Sequence, residues 1–201
     1  VQFEDDTITA NKKNLEDLCK GIEPFGIPWC TPNGTKVNYY QGKEKTASGV
    51  FRKQLEMYKM MKKAGCYSLT LACESGVQRV LDEEIGKNLD VNDMKPAVEA
   101  AKEAGLHVHT FWVVGHLGET RKEMERTIEF AKNLGADNYS ISILSPLPGT
   151  PVYHEVVRQN RWWPQLKPKY RTAMYRRSQI QVDSFSGPDE LEKQVAIWNK
   201  E

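Results

Sequence analysis

An apolar run in the middle of the chain ends abruptly in a carboxylate, a hydroxyl and a glycine, at Glu74-Ser75-Gly76. Residues 69–73 favour a strand and residues 77–81 favour the start of a helix, so the polar groups stand at the carboxyl end of a strand. In parallel α/β folds, ligands bind at that end. We therefore expect Glu74 and Ser75 to contact a ligand. The plainer alternative is that Ser75 only caps the helix and Gly76 only makes the turn.

Polar clusters also follow three other predicted strands. They begin with Asp5, Asp6 and Thr7, with Gly115, and with Ser145 and Pro146. Carboxylates can receive an amine or ribose hydroxyls, and glycines allow backbone amides to approach a ligand closely. Lys87 follows a glycine in a loop at the same edge, where it either receives a carboxylate or is a solvated lysine. We expect all these clusters to share one edge of a sheet.

The elements that must position these clusters alternate between strand and helix. Strands are predicted at 1–4, 27–30, 67–72, 106–114 and 138–144, as parallel neighbours in that order. Helices are predicted at 11–23, 50–64, 77–83, from 90 or 92 to 104, at 120–134 and at 188–199, with a polar loop at 31–48. This alternation predicts an α/β fold. A closed barrel of eight units needs about 250 residues, so we expect a partial TIM-like (βα) barrel of parallel strands, open where its first strand is missing.

Composition narrows the classes of function. The 201 residues carry a formal net charge of +1, which indicates neither a nucleic acid partner nor a membrane surface. No apolar run approaches the roughly 20 residues of a membrane span, and no secretion signal is visible. The four cysteines, at positions 19, 30, 66 and 73, form no close pair, which predicts reduced buried thiols, a cytoplasmic protein and no zinc site. Because residue 1 is Val, we expect the chain to be a piece of a longer protein.

Two other features suggest metal or RNA binding but have plainer explanations. His107 and His109 face one side of a strand, yet they lie at its start, opposite the polar clusters, so a structural role is favoured. The basic stretch 167–177 includes two tyrosines, but a solvated or intramolecular role is favoured over contact with RNA.

Taken in order, the clusters resemble the radical S-adenosylmethionine (radical SAM) superfamily. The similarity is carried by residues 3–13, 61–66, 74–87, 115–120 and 146–151 and covers about residues 1–155, leaving 156–201 as a tail and helix that pack on the barrel. It is strongest to the subgroup that carries a cobalamin-binding domain, of the anaerobic magnesium-protoporphyrin IX monomethyl ester cyclase type. The fold that this resemblance implies is the carboxyl-terminal part of a radical SAM barrel.

The resemblance assigns each cluster to a part of S-adenosylmethionine (SAM). It implies that Asp5, Asp6 and Thr7 bind the amino group, that Glu74 and Ser75 bind the ribose, that Lys87 meets the carboxylate, that Gly115 flanks the adenosine, and that Ser145 and Pro146 lie near the adenine. It also implies reductive cleavage of SAM to a 5'-deoxyadenosyl radical that takes hydrogen from a small-molecule substrate. The implied parent enzyme also has upstream domains, cobalamin as a methyl carrier, and an electron donor such as flavodoxin or ferredoxin.

The family's Cys-x-x-x-Cys-x-x-Cys loop, whose thiolates hold a [4Fe-4S] cluster, does not occur in this sequence. We expect this loop upstream of Val1. In this chain, only Cys30 and Cys73 are predicted near carboxyl strand ends, which is fewer than the three thiolates required. This chain alone should therefore be inactive. Two other functions stay open. One is a cluster-free scaffold that binds SAM or a nucleotide without catalysis. The other is a metal-dependent barrel hydrolase with a divalent cation at Asp5 and Asp6.

Overall fold

Four strands form the sheet, and the runs at 107–114 and 138–143 are rich in the β-branched and aromatic residues that pack well on a pleated surface. The computed structural model describes residues 1–5, 7–37, 47–164 and 176–200. The strands are β1 (Trp29–Thr35), β2 (Cys66–Glu74), β3 (His107–Val114) and β4 (Asn138–Ile143), and they form a parallel sheet in the order β1-β2-β3-β4. The predicted strand order is therefore confirmed for these four, and the chain has a partial TIM-like α/β fold.

Helices alternate with these strands. They are α1 (Lys12–Ile22), α2 (Ala47–Lys63), a π-helix (Val80–Ile85), α3 (Met94–Glu103), α4 (Arg121–Asn133), α5 (Pro151–Arg158) and α6 (Pro188–Trp198), with 3-10 turns at Glu23–Phe25 and Val91–Asp93. Within the described residues, no helix is long and apolar enough to cross a bilayer.

The prediction of a polar loop at 31–48 is wrong for its first residues, because β1 continues to Thr35. The hydroxyl of Thr35 donates to the carbonyl of Thr70 (2.8 Å), and the hydroxyl of Thr31 accepts from the Thr70 amide (3.4 Å). Gly34 lies so close to β2 that a Cβ on it would be 2.6 Å from Cβ of Ala72. Polar residues and a glycine thus occur here inside a strand, while residues 38–46 lie outside the described residues.

The predicted strand at 1–4 is present only as one isolated parallel bridge, between Gln2 and Cys30. The amide of Phe3 donates to the carbonyl of Cys30, and the amide of Cys30 donates to the carbonyl of Val1, both at 3.0 Å. This segment therefore runs in the predicted direction beside β1 but forms no regular strand.

Helix α5 has no counterpart among the predicted elements. Thr150 caps it by accepting a hydrogen bond from the Tyr153 amide (3.3 Å), and Pro151 occupies its first turn. A threonine followed by proline is a helix-start signal that was present in the sequence. The predicted boundary between a barrel part and a tail after residue 155 stays a prediction.

The chain divides into two compact units. The first comprises Val1–Cys73, Leu89–Phe111 and Phe130–Ser140, and the second comprises Glu74–Asn88, Trp112–Glu129 and Ile141–Glu201. In the first, Trp29 is fully buried and its indole N–H donates to the carbonyl of Ala64 at 2.7 Å. The second has an apolar core whose fully buried members include Trp112, Val114, Met124 and Leu191.

Candidate functional site

Glu74, the last residue of β2, has a left-handed backbone conformation with a φ of 68°. For a residue with a Cβ, this conformation costs about 1–2 kcal/mol. Its carboxylate Oε1 lies 3.0 Å from Nζ of Lys87, and both side chains are about one-quarter exposed. The strand end therefore presents an ion pair made of two residues that the sequence assigned to a ligand.

The π-helix and the turn after it bring Lys87 back to Glu74. Gly86 ends the helix with a φ of 69°, and its amide donates to the carbonyl of Leu81. The amide of Lys87 donates to the same carbonyl at 2.9 Å. A side chain at Gly86 would make this left-handed turn strained. The glycine therefore determines the backbone position of Lys87, from which its side chain reaches Glu74.

Ser75 is fully buried, and its hydroxyl bonds within the protein. The hydroxyl accepts from the Val77 amide (3.2 Å) and pairs with the hydroxyl of Thr127 (3.1 Å). Thr127 also accepts from the Gly76 amide at 3.2 Å. This geometry favours the capping alternative for the Ser75 side chain, and the ribose contact implied for it stays a prediction.

The loop after β3 is shaped by Gly115 and Glu119. Gly115 has a φ of 87°, and a Cβ on it would lie 3.2 Å from Cδ2 of Leu191. The Oε2 atom of Glu119 accepts from the amides of Gly115 (2.7 Å) and His116 (3.1 Å), while Oε1 has no hydrogen-bond partner. Burial raises the pKa of Glu119 to about 7, against the lowering effect of the two amides. The buried Glu119 therefore fixes the backbone of this loop through the amides of Gly115 and His116.

Arg79 holds the same loop from its other side. The guanidinium donates to both carboxylate oxygens of Glu123 (2.7 and 2.8 Å), to Glu84 (3.1 Å) and to the carbonyl of Gly118 (2.9 Å). Glu84 in turn accepts from the Gly118 amide at 3.0 Å. Because of the bonds from Arg79, the pKa of Glu123 falls to about 2. Sequence reasoning did not single out Arg79, since an arginine at the start of a helix is most often a solvated residue.

The other candidate residues have the following places. Ser145 lies just beyond β4, where its hydroxyl accepts from Nε2 of Gln179 at 2.7 Å, and Pro146 beside it is buried. In the first unit, the exposed Asp5 accepts from the amide of Thr7 at 2.9 Å, which makes a local turn. Asp6 lies outside the described residues. Since Asp5 and Thr7 belong to the first unit and the remaining candidates to the second, a single shared edge stays a prediction.

The two histidines at the start of β3 bond to side chains of β4. Nε2 of His107 lies 3.0 Å from the amide nitrogen of Asn138, and Nε2 of His109 lies 3.0 Å from the hydroxyl of Ser140. This agrees with the structural role that the sequence favoured. Among the described residues, no group of three or more His, Cys, Asp or Glu side chains could hold a metal ion.

All four cysteines are free and buried. The expectation that Cys30 lies near a carboxyl strand end is wrong, because β1 extends to Thr35 and Cys30 is its second residue. Burial raises the pKa of Cys19 to about 11. Burial is also the main reason that the pKa of Cys66 is raised to about 12, against the lowering effect of its hydrogen bond with the backbone of Ser68. Thus only Cys73 is near a carboxyl strand end, and these thiols do not fit a cluster held by three thiolates.

Comparison with known proteins is consistent with this architecture. The family model described as "Radical SAM superfamily" matches residues 31–131. A cytidylyl-2-hydroxyethylphosphonate methyltransferase of Streptomyces wedmorensis is 29% identical over 99% of this chain and 36% of the relative. An uncharacterized methyltransferase of Pyrococcus horikoshii is 34% identical over 80% of this chain and 32% of the relative. The chain therefore spans about a third of the length of these relatives.

A solved structure has the same fold. It is TsrM from Kitasatospora setae, described as a radical S-adenosylmethionine methyltransferase with cobalamin and a [4Fe-4S] cluster bound. The superposition gives a TM-score of 0.65 and 16% identity, and it covers 96% of this chain and 37% of that one. With a family model that matches half of its residues, this chain belongs to the radical SAM superfamily.

Proposed function

We propose that this chain is the SAM-binding part of a radical SAM enzyme that acts on a small-molecule substrate. The observation that carries the proposal is the ion pair between Glu74 and Lys87 at the end of β2, with Glu74 in a strained backbone conformation. A non-glycine residue is kept in such a conformation when its side chain is needed where the turn places it. Family membership, through the match at residues 31–131, supports SAM as the ligand.

The side chains of the candidate set suit the polar parts of SAM. Glu74 can accept hydrogen bonds from ribose hydroxyls, and Lys87 can exchange its bond to Glu74 for one to the SAM carboxylate. Gly115, with Ser145 and Pro146, would flank the adenosine, and Asp5, Asp6 and Thr7 would receive the amino group. When bound, SAM supplies the adenosyl and methyl groups of the chemistry, while this chain binds and orients it.

Other parts of the proposed enzyme must come from outside this chain. A [4Fe-4S] cluster needs thiolates that these cysteines do not provide, so we derive no step through it. Cobalamin, upstream domains and an electron donor such as flavodoxin or ferredoxin belong to the proposed whole protein, supported by the family match and by the cobalamin named for TsrM. The four free thiols support a reducing compartment, and we propose the cytoplasm.

Calorimetric titration of the 201-residue chain with S-adenosylhomocysteine, which carries the same ribose and amino acid groups, tests the proposal. We expect saturable binding that weakens when Lys87 is replaced by Met, because the carboxylate loses its cation. The matched control is Lys122→Met on α4, a lysine outside the candidate set, which should leave the affinity unchanged. Absence of binding to the wild-type chain would remove the proposal.

The alternative of a cluster-free scaffold predicts the same binding by this chain. The two functions separate in the whole protein, where the enzyme converts SAM to 5'-deoxyadenosine under reducing anaerobic conditions and the scaffold does not.

A further inference from the structure

The second unit contains a cleft that none of the candidate SAM residues lines. Its volume is about 480 Å³, within the roughly 300–1,000 Å³ of small-molecule sites. Its walls come from the π-helix, from residues 116–118 after β3, from α5 and from two residues of the following segment, Arg161 and Asp183. The cleft is thus formed by segments that follow β2, β3 and β4. The hydrogen-bonding groups and charges on its walls indicate which ligands it can bind.

Every side chain on these walls that can donate a hydrogen bond already donates within the protein. Gln159 donates to Glu155, and Arg161 donates to Asp183 and to the carbonyl of Gln181 (2.9 Å). His116 bonds the backbone of Val113 through its ring. A ligand in this cleft therefore meets few free donors.

Acceptors, in contrast, are in excess. Four carboxylates line the cleft, those of Glu83, Glu84, Glu155 and Asp183, and a carboxylate can accept about four hydrogen bonds. Glu83 accepts one, from Arg79 at 3.1 Å. The same guanidinium also pairs with Glu84 and, through two bonds, with Glu123, so one cation serves three anions on this side. The excess charge at the π-helix wall is negative.

His116 provides an independent sign of an absent partner. It lines the cleft, is 6% exposed, and its Nε2 has no hydrogen-bond partner. Burial lowers the pKa of His116 from its ordinary value, which favours the neutral ring. Since its other nitrogen bonds the Val113 backbone, Nε2 is an acceptor. A buried acceptor without a donor destabilises the protein, and a donor on a ligand would offset this effect.

We propose that this cleft binds a positively charged nitrogen of a small molecule, an ammonium or guanidinium group, through Glu83, Glu84 and Nε2 of His116. Such a group brings several N–H donors and a positive charge, which complement the carboxylate oxygens of the π-helix wall and the unpartnered Nε2 of His116. The nitrogen belongs either to a substrate or to an effector, and both present the same chemistry. The proposal does not depend on SAM binding elsewhere on the chain.

The test is a titration of the isotopically labelled 201-residue chain with 1,4-diaminobutane at low ionic strength, followed by NMR. We expect saturable shifts of the Gly118 amide and of Nε2 of His116. The matched ligand 1,4-butanediol, which has the same length without charge, should produce neither. Replacing Glu83 with Gln should weaken diamine binding by about two- to fivefold, as for one ion pair to a mostly exposed carboxylate. Glu125→Gln on α4 is the control, since Glu125 is exposed and does not line the cleft.

Equal binding of the diol, equal loss in both variants, or unchanged signals at Gly118 and His116 would overturn the proposal. Titration in the presence of S-adenosylhomocysteine separates the two sites. If the nucleoside displaces the diamine competitively, the cleft belongs to SAM and the separate site is refuted. If the diamine binds while the nucleoside does not bind at all, the proposed SAM function fails and this inference stands.

Discussion

Arg79 and Glu123 form a two-bond ion pair, Nε to Oε1 at 2.7 Å and Nη2 to Oε2 at 2.8 Å, between the first turn after β2 and the first turn of α4. The same guanidinium donates to the carbonyl of Gly118 at 2.9 Å. A planar guanidinium with five donors can bond both oxygens of a carboxylate side by side and a carbonyl as well, whereas the ammonium of a lysine does not match this two-bond geometry. Arg79 therefore fixes the loop after β3 against the segment between Glu74 and Lys87.

We expect Arg79→Lys to loosen that loop while leaving the fold stable. Because the Arg79 side chain is partly exposed, its ion pairs are screened by water, and the free energy of unfolding should fall by only about 1 kcal/mol. Amide hydrogen exchange at Gly118 should become faster, and S-adenosylhomocysteine should bind more weakly. Arg121→Lys is the matched control, because Arg121 pairs with Glu125 and Glu190 and does not bond the loop. Equal protection of Gly118 in both variants would show that Arg79 does not position it.

Glu119 should make stability depend on pH. Its folded-state pKa of about 7 is above the ordinary carboxyl value, because burial outweighs the two amide hydrogen bonds, and the carboxylates of Glu123 and Glu84 add to the increase. The folded state therefore holds this proton more tightly than the unfolded state. The resulting stability is fully present below about pH 4.3 and is lost as pH rises through about 7, a loss of about 3–4 kcal/mol. Chemical denaturation between pH 4 and 8 measures it.

Replacing Glu119 with Gln supplies the control. The amide oxygen can still accept from the Gly115 and His116 amides, but no proton is released. The variant should lose the fall in stability between pH 4 and 7 and should exceed the wild type at pH 8. An unchanged pH profile would mean that another group titrates in this range.

Glu74 should reveal a conflict between stability and binding. Glu74→Gly removes the strain of the left-handed conformation, worth about 1–2 kcal/mol, and loses a partly exposed ion pair worth at most about 1 kcal/mol. We expect this variant to be as stable as the wild type or more stable, and to bind S-adenosylhomocysteine about tenfold or more weakly, since each hydrogen bond to a charged group contributes about 1.5–3 kcal/mol.

Glu74→Ala completes that comparison. It loses the same carboxylate but keeps the strain, so it should bind as weakly as Glu74→Gly and be less stable than it. Denaturation and calorimetry on the two variants check both parts. A glycine variant with full affinity would remove Glu74 from the site.

The sequence predicted those features that depend on local pattern. Strand β3, with alternating burial from Val108 to Val114, follows from the periodicity of the sequence. Residues 31–35 were assigned to a loop because threonines and a glycine are typical of turns. Their strand becomes stable only through bonds to Thr70 and contact with Ala72, which lie on a distant segment.

The site could be predicted only in part for the same reason. That polar groups follow the strands is visible in the sequence, but the partner of each group is not. The sequence alone does not decide whether Ser75 contacts a ligand or caps the helix. The structure adds the hydrogen bond between its hydroxyl and that of Thr127. The role of Arg79 and the unpartnered nitrogen of His116 depend on which groups surround them in space, and no spacing in the sequence carries that information.

The cysteines lead to the last prediction, that this chain cannot assemble a [4Fe-4S] cluster at the strand ends. Three thiolates are needed there, and only Cys73 lies near the carboxyl end of a strand. Cys30 and Cys66 lie near the amino ends of β1 and β2, and Cys19 lies in α1. The raised pKa values of Cys19 and Cys66 also keep these thiols protonated at neutral pH, and a protonated thiol is a poor ligand for iron. Anaerobic treatment with iron and sulfide should give no stoichiometric cluster absorption, and addition of dithionite and SAM should give no 5'-deoxyadenosine.

The control is Cys73→Ser, which should behave as the wild type does. A stoichiometric cluster that is lost in this variant would contradict the prediction and identify Cys73 as a ligand.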